Sequence, residues 1–437
     1  MFWERKRLCR CQRLLLAGAL MLFATAVLKY SSRECSFSDP GRSSLQDQSE
    51  ACKDQLYRLL HLSPGGRLSC AGITAGEAGA VREALLRRLD RPARPEPRSP
   101  QHYLNLTRDC ALFKAERRFL EFPLSREEQE FPVAYSMVVH ENIEMFERLL
   151  RAIYAPQNLY CVHVDLKSPA DFLAAVRGVA ACFANVFVAA KRERVVYASW
   201  SRVQADLNCM EELLRSPVPW RYLLNTCGAD FPIKTNAEIV RSLKVLNGRN
   251  NMESERPSAF KSGRWKYRHH VGDSVVRSDT EKGPPPHGYA MFTGSAYIVV
   301  TRAFVRALFE NPRAQRLLEW SKDTYSPDEH VWATLHRMPS MPGAVPHNDK
   351  YEVSDVNALA RLVKWEYLEG DVGKGAPYPP CTGTHRRAVC VYGAGDLHWM
   401  LQQHHLLANK FDPSVDDTVI QCLEEHLRYK SVYGRNL

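Results

Sequence analysis

Val133-Ala-Tyr-Ser-Met-Val-Val139 and Leu159-Tyr-Cys-Val-His-Val164 are short apolar runs with β character, followed by His140 and Asp165. Between them, Ile143–Tyr154 repeats its apolar residues at helical spacing. The alternation continues. Val186–Ala189 and Tyr222–Asn225 read as strands, and Pro169–Cys182 and Arg202–Leu214 as helices. Strands separated by helices of this length predict an α/β fold with a mostly parallel sheet. Open sheets of that kind bind nucleotides beyond the carboxyl ends of their strands, where His140 and Asp165 would stand. Asp165 also suits a turn or helix cap before Pro169, and on the residues alone that reading is the stronger one.

Outward from this core the chain changes character. It has 437 residues, enough for one large or two ordinary domains, and 45% of them are hydrophobic. The net charge is +10, but Arg5, Lys6, Arg7, Arg10 and Arg13 lie in a short N-terminal tail. The remaining basic residues are scattered among acids, which argues against nucleic acid as a partner. Leu14–Leu28 carries no charge. It is short for a spanning helix, which needs about twenty residues, although Gln12, Arg13, Lys29 and Tyr30 suit an interface. Ala24-Thr-Ala26 equally suits signal-peptide cleavage, and the residues leave both open. Residues 31–98 read as a stem: Ser-rich to Glu50, helical in period at Leu56–Leu62 and Ala78–Leu89, and rich in Arg and Pro from Arg87 to Arg98. Of thirteen cysteines, Cys9 and Cys11 precede the apolar run, where acylation is chemically possible. The other eleven are an odd number, so at least one is a free thiol or pairs between chains. The absence of C-x-x-C argues against structural zinc. Cys381 and Cys390 bracket a short loop that a disulfide can close, and Asn105-Leu-Thr107 is the one N-glycosylation sequon.

Candidate chemistry concentrates in the second half. In Tyr325-Ser-Pro-Asp-Glu-His-Val-Trp332, Ser326 suits an N-cap, Pro327 the first helical position, and Glu329 the third. Glu329 is then either part of a capping box or a carboxylate pre-oriented as a general base. Gly393-Ala-Gly395 lacks the third glycine of a phosphate loop, Gly283-Pro-Pro-Pro286 is a loop breaker, and there is no Walker sequence or serine elbow. Asp165 and Asp230 are single acids, and no D-x-D follows a strand. Without a metal, a leaving diphosphate needs protein cations, and Arg386, Arg387 and Lys410 are placed to serve unless they are only solubilising. Glu253 with Glu255, and Trp365 with Tyr367, sit two apart, so each pair can share one face of an extended segment. Val363–Tyr367 also reads as a half-buried strand, with Trp365 as core.

Three long motifs carry a resemblance: Tyr325–Trp332, Tyr197-Ala-Ser-Trp-Ser-Arg-Val-Gln-Ala-Asp-Leu-Asn-Cys209, and Val391-Tyr-Gly-Ala-Gly-Asp-Leu397. They are similar to the β-1,6-N-acetylglucosaminyltransferases that branch mucin O-glycans, its mucin-type core 2/core 4 members above all. The match runs from about Ser99 to the C-terminus; the stem matches loosely. The resemblance implies a nucleotide-sugar glycosyltransferase A-type fold lacking a D-x-D metal motif. It implies a cytosolic tail over 1–13, an uncleaved type II anchor over 14–30, a luminal stem over 31–98 and a catalytic domain over 99–437, held in the Golgi membrane. It implies UDP-N-acetylglucosamine as donor, no divalent metal or other cofactor, and mucin-type O-glycans of glycoproteins as acceptors. Glu329 would be the base. Val138, His140, Asp165 and Tyr197 would surround the uridine, and Arg387 and Lys410 would hold the diphosphate, with no role for Arg386. Glu253, Lys261, Arg264, Trp365 and Tyr367 would bind the acceptor. Disulfides would join Cys70–Cys422, Cys110–Cys182, Cys161–Cys209 and Cys381–Cys390. Cys227 would be a free, reactive thiol near the donor, and Cys35 and Cys52 stay unassigned. Competing expectations are I-type branching of linear poly-N-acetyllactosamine, a lectin or chaperone-like protein, and a sulfotransferase. The second needs Glu329, Arg387 or Lys410 to be missing, and the third needs a phosphate loop for its donor.

Overall fold

Strand β1 (Val133–Val139) is buried at all positions, as an apolar run must be when helices cover both faces of its sheet. The computed structural model describes residues 69–89, 97–346, 354 and 357–434. The apolar run 14–30, Cys35 and Cys52 lie outside them. Among the described residues, no helix is long and apolar enough to cross a membrane. β1 pairs in parallel with β2 (Leu159–Val164) on one side and β4 (Tyr222–Cys227) on the other. β2 pairs in parallel with β3 (Val186–Val188). Two antiparallel strands, β9 (Ile298–Thr301) beside β4 and β6 (Asn251–Met252) at the edge, complete the order β3-β2-β1-β4-β9-β6. The result is a mixed α/β sheet whose centre is parallel. One face is filled by Phe146, Leu149, Val176 and Val179, the other by Val203, Leu207 and Met210. The predicted helices appear as Ile143–Ile153, Ala170–Ala181 and Trp200–Arg215.

The chain leaves β1 for β2 and later returns to β4 on the opposite side. Strand order therefore reverses at β1, and a crevice opens at the carboxyl ends of β1 and β4. Above that edge stands a smaller sheet of β5 (Asp230–Pro232), β13 (Leu407–Asn409) and β10 (Arg361–Val363). Two antiparallel hairpins are separate from it: β7 (Tyr267–Val271) with β8 (Val275–Glu281), and β11 (Thr384–Arg386) with β12 (Val389–Val391). A third apolar cluster lies here, joining Leu362, Tyr392, Ile420 and Leu423 to Ile73 and Ala84. The last two belong to helices Cys70–Ala75 and Ala78–Leu89, so the described part of the compositional stem packs onto the C-terminal third of the chain. A Cys70–Cys422 disulfide fixes it there. Cys110–Cys182, Cys161–Cys209 and Cys381–Cys390 are the other disulfides, and Cys227 is the free cysteine among the described residues.

Candidate active site

Glu329 ends a 3-10 turn, Pro327–Glu329, before helix Val331–Arg337. The expected capping box does not form. Ser326 adopts a left-handed conformation (φ 45°) and its side chain caps nothing. The Glu329 N–H donates to the main-chain carbonyl of Ser326 instead, at 3.0 Å. The carboxylate is thus released from helix duty and faces Arg264, with Oε2 2.5 Å from Nη1. That contact is an ion pair without aligned hydrogen-bond geometry, since Nη1 has no hydrogen-bond partner. The Glu329 side chain keeps 36% of its surface open.

Three backbone hydrogen bonds set this turn among its neighbours. Tyr325 N–H donates to Arg264 O at 2.9 Å, Ser326 N–H to Ala198 O at 2.8 Å, and Gly294 N–H to Glu329 O at 2.8 Å. Gly294 lies so close to Glu253 that a Cβ would stand 2.1 Å from its carbonyl oxygen. Segments carrying Arg264, Tyr197 and Glu253 therefore meet at one turn. The adjacent His330 is buried and neutral: burial holds it down at about 3. Thr324 donates its hydroxyl to Ser321 O, so His330 Nε2 must supply the proton in their 2.9 Å contact.

The donor-side residues divide. Val138 is buried in β1 and His140 is exposed just beyond it, near Glu141. Asp165 accepts from Lys167 N–H at 2.8 Å and Val195 N–H at 3.4 Å, which is the turn role the residues alone favoured. Tyr197 is 64% exposed, and the Arg387 guanidinium lies over its ring at 4.2 Å. Arg387 and Ala388 form a two-residue hairpin loop between Arg386 and Val389, both with positive φ (54° and 57°). Lys410 follows β13; burial pushes its ammonium down, with Arg387 and Arg386 adding to the effect and Cys227 and Asp230 opposing it. Arg386 is neutralised by Asp412 at 2.7 Å. Arg387 has no carboxylate partner among the described residues, so the arginine singled out by resemblance is also the one with charge to spare. A cleft of ≈ 630 Å³ opens beside these groups, lined by His140, Gly228, Ala229, Arg386, Phe411 and Asp412. It sits at the strand-order reversal between β1 and β4.

Cys227 is a free cysteine, as expected, and is half-buried. Burial, reinforced by Asp230, pushes it up to about 12, so it is protonated and weakly nucleophilic at neutral pH. It accepts a contact from Asn409 Nδ2 at 3.5 Å.

On the acceptor side, Lys261 and Arg264 lie on consecutive short helical turns, 259–262 and 263–265. Trp365 and Tyr367 do not extend β10, which ends at Val363; residues 366–368 form a 3-10 turn. Their rings still pair, 5.6 Å apart and 30° from parallel, with Tyr367 71% exposed. Glu366 N–H donates to Ala388 O at 2.9 Å, which ties this aromatic pair to the loop displaying Arg387. Gly393-Ala-Gly395 is packing. A Cβ on either glycine would stand under 3 Å from Thr382, and neighbouring Asp396 makes a buried 2.7 Å ion pair with Lys364. Sequence reading missed Gly294, whose close neighbour Glu253 is distant in the chain.

Comparison with known proteins is consistent along the chain. The family described as Core-2/I-Branching enzyme matches residues 133–401. The protein of Bos taurus named beta-1,3-galactosyl-O-glycosyl-glycoprotein beta-1,6-N-acetylglucosaminyltransferase 3 is 60% identical over 434 residues, 99% of each chain. Its namesake from Homo sapiens is 59% identical over 434 residues, again 99% of each. A Bovine herpesvirus 4 protein of the same name without the numeral is 59% identical over 436 residues, 100% of this chain and 99% of its own.

Proposed function

From the premise that this chain belongs to the Core-2/I-branching enzyme family, we propose how its residues carry out the transfer. The protein is a β-1,6-N-acetylglucosaminyltransferase that acts on β-1,3-galactosyl-O-glycosyl-glycoproteins, the activity for which its relatives are named. It builds core 2 branches on core 1 and core 4 branches on core 3. The donor is UDP-N-acetylglucosamine, seated at the carboxyl ends of β1, β2 and β4 in a glycosyltransferase A-type arrangement. Glu329 takes the proton from the C6 hydroxyl of the acceptor N-acetylgalactosamine. That oxygen attacks the anomeric carbon from the face opposite UDP, inverting the α donor linkage to β in one displacement. Negative charge grows on the departing diphosphate, and Arg387 and Lys410 stabilise it without a divalent metal. Lys261, Arg264, Glu253 and the Trp365–Tyr367 pair orient the acceptor. The enzyme is held in the Golgi membrane by residues 14–30 with its catalytic domain in the lumen.

One observation carries this reading: Glu329 is free of capping duty, paired among the described residues with Arg264, and joined through Ser326–Ala198 to the segment on which Tyr197 and Arg387 meet. The test is transfer from UDP-N-acetylglucosamine to core 1, core 3 and linear poly-N-acetyllactosamine acceptors in excess EDTA, with product linkage determined. β-1,6 branches on the first two are expected, and Glu329→Gln should abolish them while UDP still binds. Activity that needs added manganese would remove the metal-free step, and turnover by folded Glu329→Gln would remove the base.

A further inference from the structure

Asp230 is one of the single acids noted in the sequence, and the transfer chemistry above leaves it without a task. It is fully buried at the start of β5, opposite Asn409, the last residue of β13. Its carboxylate meets groups from β4, β13 and β10. Oδ2 accepts from the Cys227 N–H at 2.6 Å, Oδ1 accepts from Asn409 Nδ2 at 2.8 Å, and Arg361 Nη2 stands 3.2 Å from Oδ2. The same Nη2 donates to Asn225 O at 2.7 Å, and the guanidinium lies 4.5 Å over the Tyr297 ring. Burying a carboxylate is costly, and these charge-assisted contacts offset the cost. Lys410 is the residue after Asn409. Its N–H donates to Cys390 O at 3.2 Å, and its carbonyl accepts from Tyr392 N–H at 2.9 Å. On its far side, Phe411 N–H donates to Ala229 O at 2.8 Å. Both chain neighbours of Lys410 are thus bonded to the pair Ala229-Asp230.

We propose that Asp230 is a positioning residue: its carboxylate, locked by Arg361, holds Asn409 and so sets Lys410 where the diphosphate departs. The proposal rests on the reading of Lys410 as a diphosphate ligand. A lysine ammonium is a compact charge on a flexible stem, so the backbone beneath it decides where it can stand. Cys390 and Tyr392 tie that backbone to the hairpin displaying Arg387. Asp230, through Asn409, ties it to the end of β4, where the crevice opens. One buried carboxylate therefore keeps the two cations in register with the donor cleft without touching the donor itself. A residue acting this way supports the phosphates alone, and uridine should not sense its loss.

Asp230→Asn would leave Arg361 buried without its counter-charge and endanger folding. Asn409→Ala instead removes the link and keeps the ion pair. Binding of UDP and of uridine to the full-length protein is measured by calorimetry. In Asn409→Ala, UDP affinity should fall roughly five- to thirtyfold, as a misplaced charge implies, with uridine affinity unchanged. Lys410→Ala should weaken UDP at least as much. Adding Asn409→Ala to it should weaken UDP no further, because both act through one ammonium. Parent-like UDP affinity in Asn409→Ala overturns the proposal. So do equal losses for UDP and uridine, which a merely structural role would give, and additive losses in the double variant. If Lys410→Ala alone binds UDP as the parent does, the diphosphate reading itself fails and the positioning role falls with it.

Discussion

A methyl group at Gly294 has nowhere to go. Its carbon would stand 2.1 Å from Glu253 O, 2.9 Å from the carbonyl carbon and 3.2 Å from Ala333 Cβ, and the first two are backbone atoms that cannot rotate away. The bond from Gly294 N–H to Glu329 O would have to give, and Glu329, the proposed base, would move with it. We expect Gly294→Ala to lose at least about tenfold in kcat, since small misplacements of reacting groups are expensive, and about 1–3 kcal/mol of stability from overpacking. Parent-like turnover of this variant, read beside its melting temperature, would refute the stitch. Nothing in Met291-Phe-Thr-Gly-Ser295 announces the role, because the obstacle is the backbone carbonyl of Glu253, distant in the chain. Glu329 shows the reverse case. Its local pattern was legible and misleading: Ser326 spends its N–H on Ala198, turns left-handed, and leaves the capping to its own carbonyl. The resemblance, not the spacing, pointed past the cap.

At the scale of elements, the β11–β12 hairpin holds Arg387 in a conformation that residues with side chains avoid. A two-residue loop with both φ positive usually draws on asparagine and glycine, and here it is Arg387-Ala388. A β-branched residue is worse there than alanine. Ala388→Val should therefore cost about 1–2 kcal/mol and raise donor KM as Arg387 leaves the Tyr197 ring, whereas Ala388→Gly should keep both. Calorimetry with donor kinetics on the two variants checks this, and equal behaviour would contradict it. Sequence foretold a short loop between Cys381 and Cys390 but not its tip geometry, which depends on how β11 and β12 register. The alternating strands and helices from β1 to β4 were readable because their burial imposes an apolar period. The 3-10 turn at Glu366–Leu368 was not, since it is imposed by a bond to Ala388 O.

For the whole molecule, acid should weaken the fold from about pH 6.5 downward, where unfolded histidines begin to bind protons. Burial holds His330 and His336 down at about 3 and His426 at about 4, against about 6.5 in an unfolded chain. The unfolded state binds more protons in that window, so stability is full above about pH 6.5 and falls as pH drops towards the folded values. Each group contributes up to about 1.4 kcal/mol per pH unit. Glu147 works in a lower window. Burial opposes its charge, yet Arg151 and Arg117 bring it down to about 2, so its contribution is present above about 4.5 and lost towards 2. Melting temperature should decline from pH 6.5 to 4.5, and less so when His330 and His336 are replaced by glutamine; a flat profile would contradict this. Sheet order and the third apolar cluster were beyond the sequence, because contacts such as Ile73 with the helix Asp417–Tyr433 join residues far apart in the chain. The Cys70–Cys422 disulfide makes that union covalent across a separation of 352 residues. Topologically residues 70–422 form a closed ring. A protease that cuts once inside the ring should leave a single species on a non-reducing gel and two fragments after reduction. A cut before Cys70 should leave residues 70–422 in one piece under either condition.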